Sequence, residues 1–468
     1  MTKEAYLNEI HKGSRYKMGM MREFFRIPNN VTLVAEINQE IDREKLQKVL
    51  NQLTIIHPLL SVKITIDENG EAWYTSGSFK PLLLEILNEE NWIKVVETEN
   101  AKPFDFLNGP LIRFYLLRSQ NSSKIILMCH HAICDGISLT KLINEIVLRL
   151  NNPEMAVKTI EPTLPVNENL YPVPIDIKLK VILNRIIFGR INRKWNKRRV
   201  IFNDEDYKNI HTAYHNYFRY RIINVELSEA ETTNLIKKCR ENGVTVNSAL
   251  CTAFFASRDI IRKKFSGNNP RLQIAVNLRD QQKNPTKNGF GYFAGCVNIE
   301  FEYLHEKSFW ENVYLLNQIA KNELKSNKTL EPIIGYYINP TLTDAINFAT
   351  YGRWVTEDFS SYEKLSNFIG SENNVALNIS NKLVANMPSL IMSNLGNIPF
   401  INNNGEFKIE KLNFVTSPSP FLDMEATVVT TNGKLTLNLN LMETKDVDNG
   451  YYSELENIIK KTAEMIKT

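Results

Sequence analysis

The chain has 468 residues, 43% hydrophobic and 23% charged, with 23 Phe and 18 Tyr; this excludes a disordered chain and allows a large core, expected to split into two domains. A formal net charge of +4 over so much surface points to no particular partner. Five scattered cysteines without a C-x-x-C pair exclude a disulfide framework and a zinc ribbon. Met1 to Lys17 carries no apolar signal core, and no apolar run reaches the ~18 residues of a membrane span, so a cytoplasmic setting is expected.

In chain order, apolar patterning predicts a strand over 31–37, a helix over 42–57, a strand over 60–66 and a further segment over 110–117. The run Ile125-Ile126-Leu127-Met128-Cys129 reads as a buried strand, and Leu139, Leu142, Ile143, Ile146, Val147 and Leu150 recur at helical spacing. Between them stands His130-His131-Ala132-Ile133-Cys134-Asp135-Gly136, in a turn held by two rigid elements. Three readings meet there. A metal site is disfavoured, because adjacent residues at a strand end point to opposite faces and no H-E-x-x-H motif supplies further ligands. The other two stay open on the residues alone: buried, hydrogen-bonded histidines with Asp135 capping the next helix, or a general base projecting into a cleft.

Pro153, Pro162, Pro165, Pro172 and Pro174 then mark a loop. From Lys178 to Arg199 the chain places nine basic residues and no acid, interleaved with Leu179, Ile182, Leu183, Ile186, Ile187 and Trp195. This segment is expected either as a linker helix at the domain junction or as a helix on an anionic membrane surface, which would make the protein peripheral there. Nucleic acid is not expected, since no recognised binding motif accompanies the charges. A second alternating block follows: a strand over 219–225, helices over 228–242 and 246–263, strands over 272–276 and 297–301, a hairpin over 426–441 turning at Asn432-Gly433, and a helix over 450–466. No repeat period is visible.

The heptapeptide at 130–136 resembles the signature of the thioester-dependent acyltransferases, which include chloramphenicol acetyltransferase, carnitine acyltransferases, plant alcohol acyltransferases and the condensation domains of nonribosomal peptide synthetases. Other landmarks resemble the same superfamily in order: His57-Pro58, Pro103-Phe104-Asp105-Phe106, Gly109-Pro110-Leu111-Ile112-Arg113, Val276-Asn277-Leu278-Arg279, Gly291-Tyr292-Phe293-Ala294-Gly295 and Ser393-Asn394-Leu395-Gly396. No Asp-Phe-Gly-Trp-Gly segment of the plant enzymes, no Ala-Gln start of condensation domains, no Gly-Gly-x-Ser carrier site and no adenylation motif is present. The nearest likeness is to free-standing alcohol acetyltransferase-like and wax-forming acyltransferases.

The resemblance implies an α/β fold of two chloramphenicol-acetyltransferase-like sandwich halves, with the active site in the interdomain cleft. The halves are expected over 1–175 and 216–468, joined by the basic amphipathic segment 176–215. It implies His131 as general base with no covalent acyl-enzyme, so Cys134 need not be a nucleophile. Ser393, and less surely Asn394, would donate to the oxyanion. Asp135 and Arg279 would pair as a structural strut, Gly136 would give clearance, and His130 would support the turn. No permanent cofactor or metal is expected; acyl-CoA or an acyl-phosphopantetheine is the co-substrate and an alcohol or amine the acceptor. A stand-alone condensation enzyme is the alternative, with an acyl carrier protein as the partner docked on the basic segment. A third reading is a binding module that has lost catalysis.

Overall fold

The computed structural model describes residues 15–76, 82, 84–88, 90–119, 121–160, 175–262, 270–282, 289–325, 337–400, 405–445 and 450–467, with the side chains of 20 and 175–182 left aside. The stretch from Pro162 to Pro174 lies outside the described residues. The first part of the chain forms β1 (Arg15–Lys17), β2 (Asn30–Ile37), β3 (Val62–Ile66), β4 (Ala72–Ser76), β5 (Leu84–Leu87), β6 (Ile112–Ser119) and β7 (Ser122–His130). The later part forms β8 (Phe218–Leu227), β9 (Arg271–Asn277), β10 (Ala294–Glu300), β11 (Leu390–Asn397), β12 (Ile409–Thr416), β13 (Met424–Thr431) and β14 (Lys434–Thr444).

Two large sheets carry the fold, ordered β12-β2-β7-β6-β5 and β10-β9-β11-β13-β14-β8, beside a small sheet β1-β4-β3. β7 lies at the centre of the first sheet, and Ile125 to Cys129 are each 0% exposed, as a continuous apolar strand covered on both faces should be. It pairs antiparallel with β2, Asn30 opposite His130, and with β6, Ile112 opposite Cys129. Its end is thus held from both sides. Helix Arg43–Ile56, capped by Asp42 on the Lys45 amide, packs against helix Gly136–Asn151. In the second sheet the hairpin β13–β14 turns at Asn432 and Gly433, both at positive φ, as Asn-Gly turns require. Helix Tyr451–Lys467 packs on helix Val246–Arg262 across this sheet's core.

The chain does not divide cleanly between the sheets. β12 follows residues of the second sheet but pairs antiparallel with β2 in the first, Phe414 opposite Leu33. Its backbone carbonyls also accept from second-sheet side chains: Thr436 Oγ1 donates to Leu412 O at 2.9 Å, Thr427 Oγ1 to Phe414 O at 2.6 Å and Asn438 Nδ2 to the same oxygen at 3.0 Å. One strand therefore joins both sheets. The segment 176–215 holds two helices, Ile175–Asn196 and Asp204–Tyr217. The C-terminal end of the first is docked: Trp195 is buried and its indole donates to Thr341 Oγ1 at 2.9 Å. Further back along it, Leu183, Ile186 and Ile187 stand 60%, 55% and 42% exposed. The side chains of Lys178 and Lys180 lie outside the described ones.

Candidate active site

β7 ends at His130 and helix Gly136–Asn151 begins six residues later, so the intervening turn is pinned at both ends. Its backbone is further tied by the His131 amide to Asn29 O at 3.0 Å and by the Tyr74 hydroxyl, which donates to Ala132 O. The two histidines point to different environments. His130 is 1% exposed, and the rings of Phe104 and Phe106 meet it edge-on at 5.8 and 4.9 Å. Its Nε2 donates to Ile27 O at 3.0 Å and its Nδ1 accepts the Ala132 amide at 3.2 Å, so both nitrogens are used. Burial pushes its pKa down to about 4 and keeps it neutral.

His131 is only partly buried, between the rings of Phe24 at 4.9 Å and Tyr292 at 5.0 Å. Its Nδ1 lies 2.7 Å from Cys134 O. A carbonyl oxygen only accepts, so Nδ1 carries the hydrogen and Nε2 keeps its lone pair. Burial lowers the pKa of this ring too, against the opposing pull of the Cys134 carbonyl and the Asp135 charge. The neutral, proton-accepting form therefore prevails at neutral pH. Cys134 is fully buried and its thiol is pushed well up, first by burial.

Asp135 caps the helix by accepting the Ser138 amide at 2.8 Å and receives Arg279 in a fork, Nη2 to Oδ1 at 2.9 Å and Nη1 to Oδ2 at 3.1 Å. The same carboxylate accepts the Phe293 amide at 2.7 Å. Arg279 Nη2 also donates to Ser138 Oγ at 2.7 Å, and that hydroxyl donates to Gly291 O at 2.6 Å. Asp135 and Arg279 are 4% and 5% exposed, so the pair is internal. Gly136 gives clearance to side chains of the second part of the chain: a Cβ there would lie 2.7 Å from Leu395 Cδ2 and 2.8 Å from the Phe414 ring.

Ser393, on β11, is partly buried, and its hydroxyl has no hydrogen-bond partner among the described residues. Asn394 is engaged: its Nδ2 lies 3.3 Å from Asn247 Oδ1, and its Oδ1 accepts the Gly396 amide at 2.8 Å. Sequence reasoning missed Phe24 and Ser138. Ser138 carried a signal, a hydroxyl three residues after a capping aspartate, whereas nothing around Phe24 marks it as a neighbour of His131. Among the described residues no three His, Cys, Asp or Glu side chains converge as a metal site would need. No helix among them is long and apolar enough to cross a membrane.

A family profile for condensation domains matches residues 2–150, and one for alcohol acetyltransferases matches residues 87–463. The chain belongs to the alcohol acetyltransferase family. That family is one of acyltransferases, and membership implies a thioester co-substrate. Across almost its whole length it resembles a trichothecene 15-O-acetyltransferase from Fusarium sporotrichioides (TM-score 0.62, 13% identity, 97% of this chain and 95% of that one). It likewise resembles polyketide synthase associated protein 5 from Mycobacterium tuberculosis (TM-score 0.59, 14% identity, 97% and 99%) and the first condensation domain of the CDA synthetase (0.57, 13%, 99% and 94%). At such identities the likeness is one of fold, the two-half α/β architecture expected from the sequence. Curated relatives include a plipastatin synthase from Bacillus subtilis, 30% identical over 119 residues, and a surfactin synthase from the same organism, 29% identical over 140. Those matches cover 25% and 30% of this acetyltransferase-family chain but only 5% and 4% of the synthase polypeptides.

Proposed function

We propose that the protein moves an acyl group from acyl-CoA to the hydroxyl of an alcohol, with His131 as general base and no acyl-enzyme. The observation that carries this is the His131 tautomer: Nδ1–H is spent on Cys134 O, which leaves the Nε2 lone pair for the acceptor. In the proposed reaction Nε2 takes the hydroxyl proton as the alcohol oxygen attacks the thioester carbonyl. The tetrahedral intermediate collapses by breaking the carbon–sulfur bond, and the imidazolium returns the proton to the departing thiolate. Ester and free thiol are the products. Ser393 is the proposed oxyanion donor. Its hydroxyl is uncommitted among the described residues, and Leu395, two residues further along β11, lies against Gly136 in the motif turn. Asp135 and Arg279 position the turn and need not touch substrate. A high-pKa, fully buried Cys134 supports the absence of an acyl-enzyme.

A carrier-bound acyl donor is the second reading, favoured by the condensation-domain match over residues 2–150. Thiol release from a panel of acyl-CoAs, with alcohols, amines and no acceptor in parallel, separates the two. The proposal expects alcohol-dependent release that drops roughly 10²–10⁴-fold in a folded His131→Ala variant. Silence with every CoA donor, alongside turnover of acyl-carrier protein, would transfer the assignment to a condensation enzyme. Silence with both would point to a binding module.

A further inference from the structure

From Lys178 to Arg199 the chain places nine basic residues and no acid, although its formal net charge is only +4, so the rest of the protein is net negative. The stretch occupies helix Ile175–Asn196 and the short turn after it. From Leu183 onwards this helix has two unlike sides, set by a rotation of about 100° per residue. The inner side carries Phe188, Ile191, Asn192 and Trp195, which are half-buried or buried. Ile191 packs against the larger hydrophobic core, Asn192 Nδ2 donates to Tyr337 O at 2.8 Å, and Asn192 Oδ1 accepts the Asn339 amide at 2.9 Å. Together with the Trp195 indole on Thr341, these contacts fasten the helix to the body of the protein.

The outer side makes no such contacts among the described residues. Leu183, Ile186 and Ile187 stand exposed there. Arg190, Arg193 and Lys194 follow them on the same side, each exposed, with Lys197 just past the helix end. Not one of these four cations makes an ion pair or a hydrogen bond among the described residues. Basic neighbours off this side are engaged: Arg185 lies over the Tyr337 ring at 4.9 Å, and Arg198 donates to Glu372 O at 3.4 Å. The row from Leu183 to Lys194 is about 16 Å long, aliphatic at its start and cationic at its end.

Three aliphatic side chains left in water on one side of a helix gain free energy by leaving it. Four like charges within a Debye length of one another repel until a counter-charge arrives. An anionic bilayer answers both needs at once, because its acyl chains accept the aliphatics and its headgroups accept the cations. A protein partner is a poorer match: the row from Leu183 to Lys197 presents no aromatic ring and no neutral hydrogen-bonding side chain, and protein interfaces are rich in aromatics and poor in lysine. We propose that the outer side of this helix docks the protein on an anionic membrane surface, with Leu183, Ile186 and Ile187 entering the boundary of headgroups and acyl chains and Arg190, Arg193, Lys194 and Lys197 lying on the headgroups. The helix rests on the bilayer and does not cross it. This assignment is independent of the role of His131.

The test is co-sedimentation of the whole chain with vesicles of phosphatidylcholine alone, or of phosphatidylcholine and phosphatidylserine in equal parts. The wild type should partition onto the mixed vesicles, less so as salt rises, and leave the neutral ones in solution. Arg190→Gln, Arg193→Gln, Lys194→Gln and Lys197→Gln together should weaken that partition by about a hundredfold or more. Leu183→Ser, Ile186→Ser and Ile187→Ser together should weaken it by at least about tenfold with the charge unchanged. All seven side chains are exposed, so both variants should keep the wild-type circular dichroism. A control removes the same charge from exposed lysines elsewhere, Lys237→Gln, Lys321→Gln, Lys434→Gln and Lys460→Gln, and should bind as the wild type does. Absent or equal binding to the two vesicles overturns the proposal, as does a control that loses as much as the first variant. A serine variant that binds undiminished overturns the insertion of the aliphatics. Capture of an acidic acyl carrier protein that needs the four cations, without vesicle binding, replaces the membrane with a protein partner.

Discussion

Two adjacent histidines of the same chemistry are given different work by their partners. His130 has a donor and an acceptor on its two nitrogens and a wall of phenylalanine around it, so it holds backbone together. His131 has one partner, a carbonyl, which dictates where its hydrogen sits. The rate should therefore depend on the protonation of His131. Because burial lowers its pKa, kcat/KM should be flat through neutral pH and fall as pH drops through a value below the ordinary histidine value of about 6.5. A pH–rate profile that instead bends above 7 would argue against this base. The motif and the opposite orientation of its histidines were readable from 130–136 alone, because a strand end alternates faces. The tautomer was not, because it depends on a main-chain oxygen whose direction only the folded turn defines.

At the level of elements, the start of helix Gly136–Asn151 is where distant parts of the chain are clasped. Asp135 serves one amide of its own helix, one amide of the Tyr292–Phe293 loop and the whole fork of Arg279. Asp135→Ala leaves a buried guanidinium uncompensated and should cost roughly 3–5 kcal/mol in urea unfolding. Adding Arg279→Ala to that variant should cost much less than the single substitution, since the stranded charge goes with it. Equal, additive losses would show that the two do not act as a pair. Helices such as Arg43–Ile56 were legible because local chemistry specifies them: a capping aspartate, then Leu46, Val49, Leu50 and Leu53 on one face. β12 was not. Its sequence, IEKLNFVT, is half polar, and what makes it a strand is β2, more than 370 positions earlier in the chain, a partner that no window of sequence contains.

At the level of the molecule, the division into halves over 1–175 and 216–468 describes the chain better than it describes the sheets. Residues 409–416 complete the first sheet, and without them β2 would present a bare edge. The protein should consequently unfold in one transition, with far-ultraviolet circular dichroism and tryptophan fluorescence coinciding in urea. Two resolved transitions would show that the sheets are independent after all.

β12 also limits how far the molecule can move. From Thr416, hydrogen-bonded into one sheet, to Met424, which starts a strand of the other, the chain has only residues 417–423, a tether that could reach about 25 Å fully stretched and is hydrogen-bonded at Ser417 to Asn30 O at 2.9 Å. A jaw so leashed does not gape. The rings of Phe24 and Tyr292, packed on either side of His131, would then have to make room themselves, and their bulk would decide how closely any substrate of the proposed transfer approaches that imidazole.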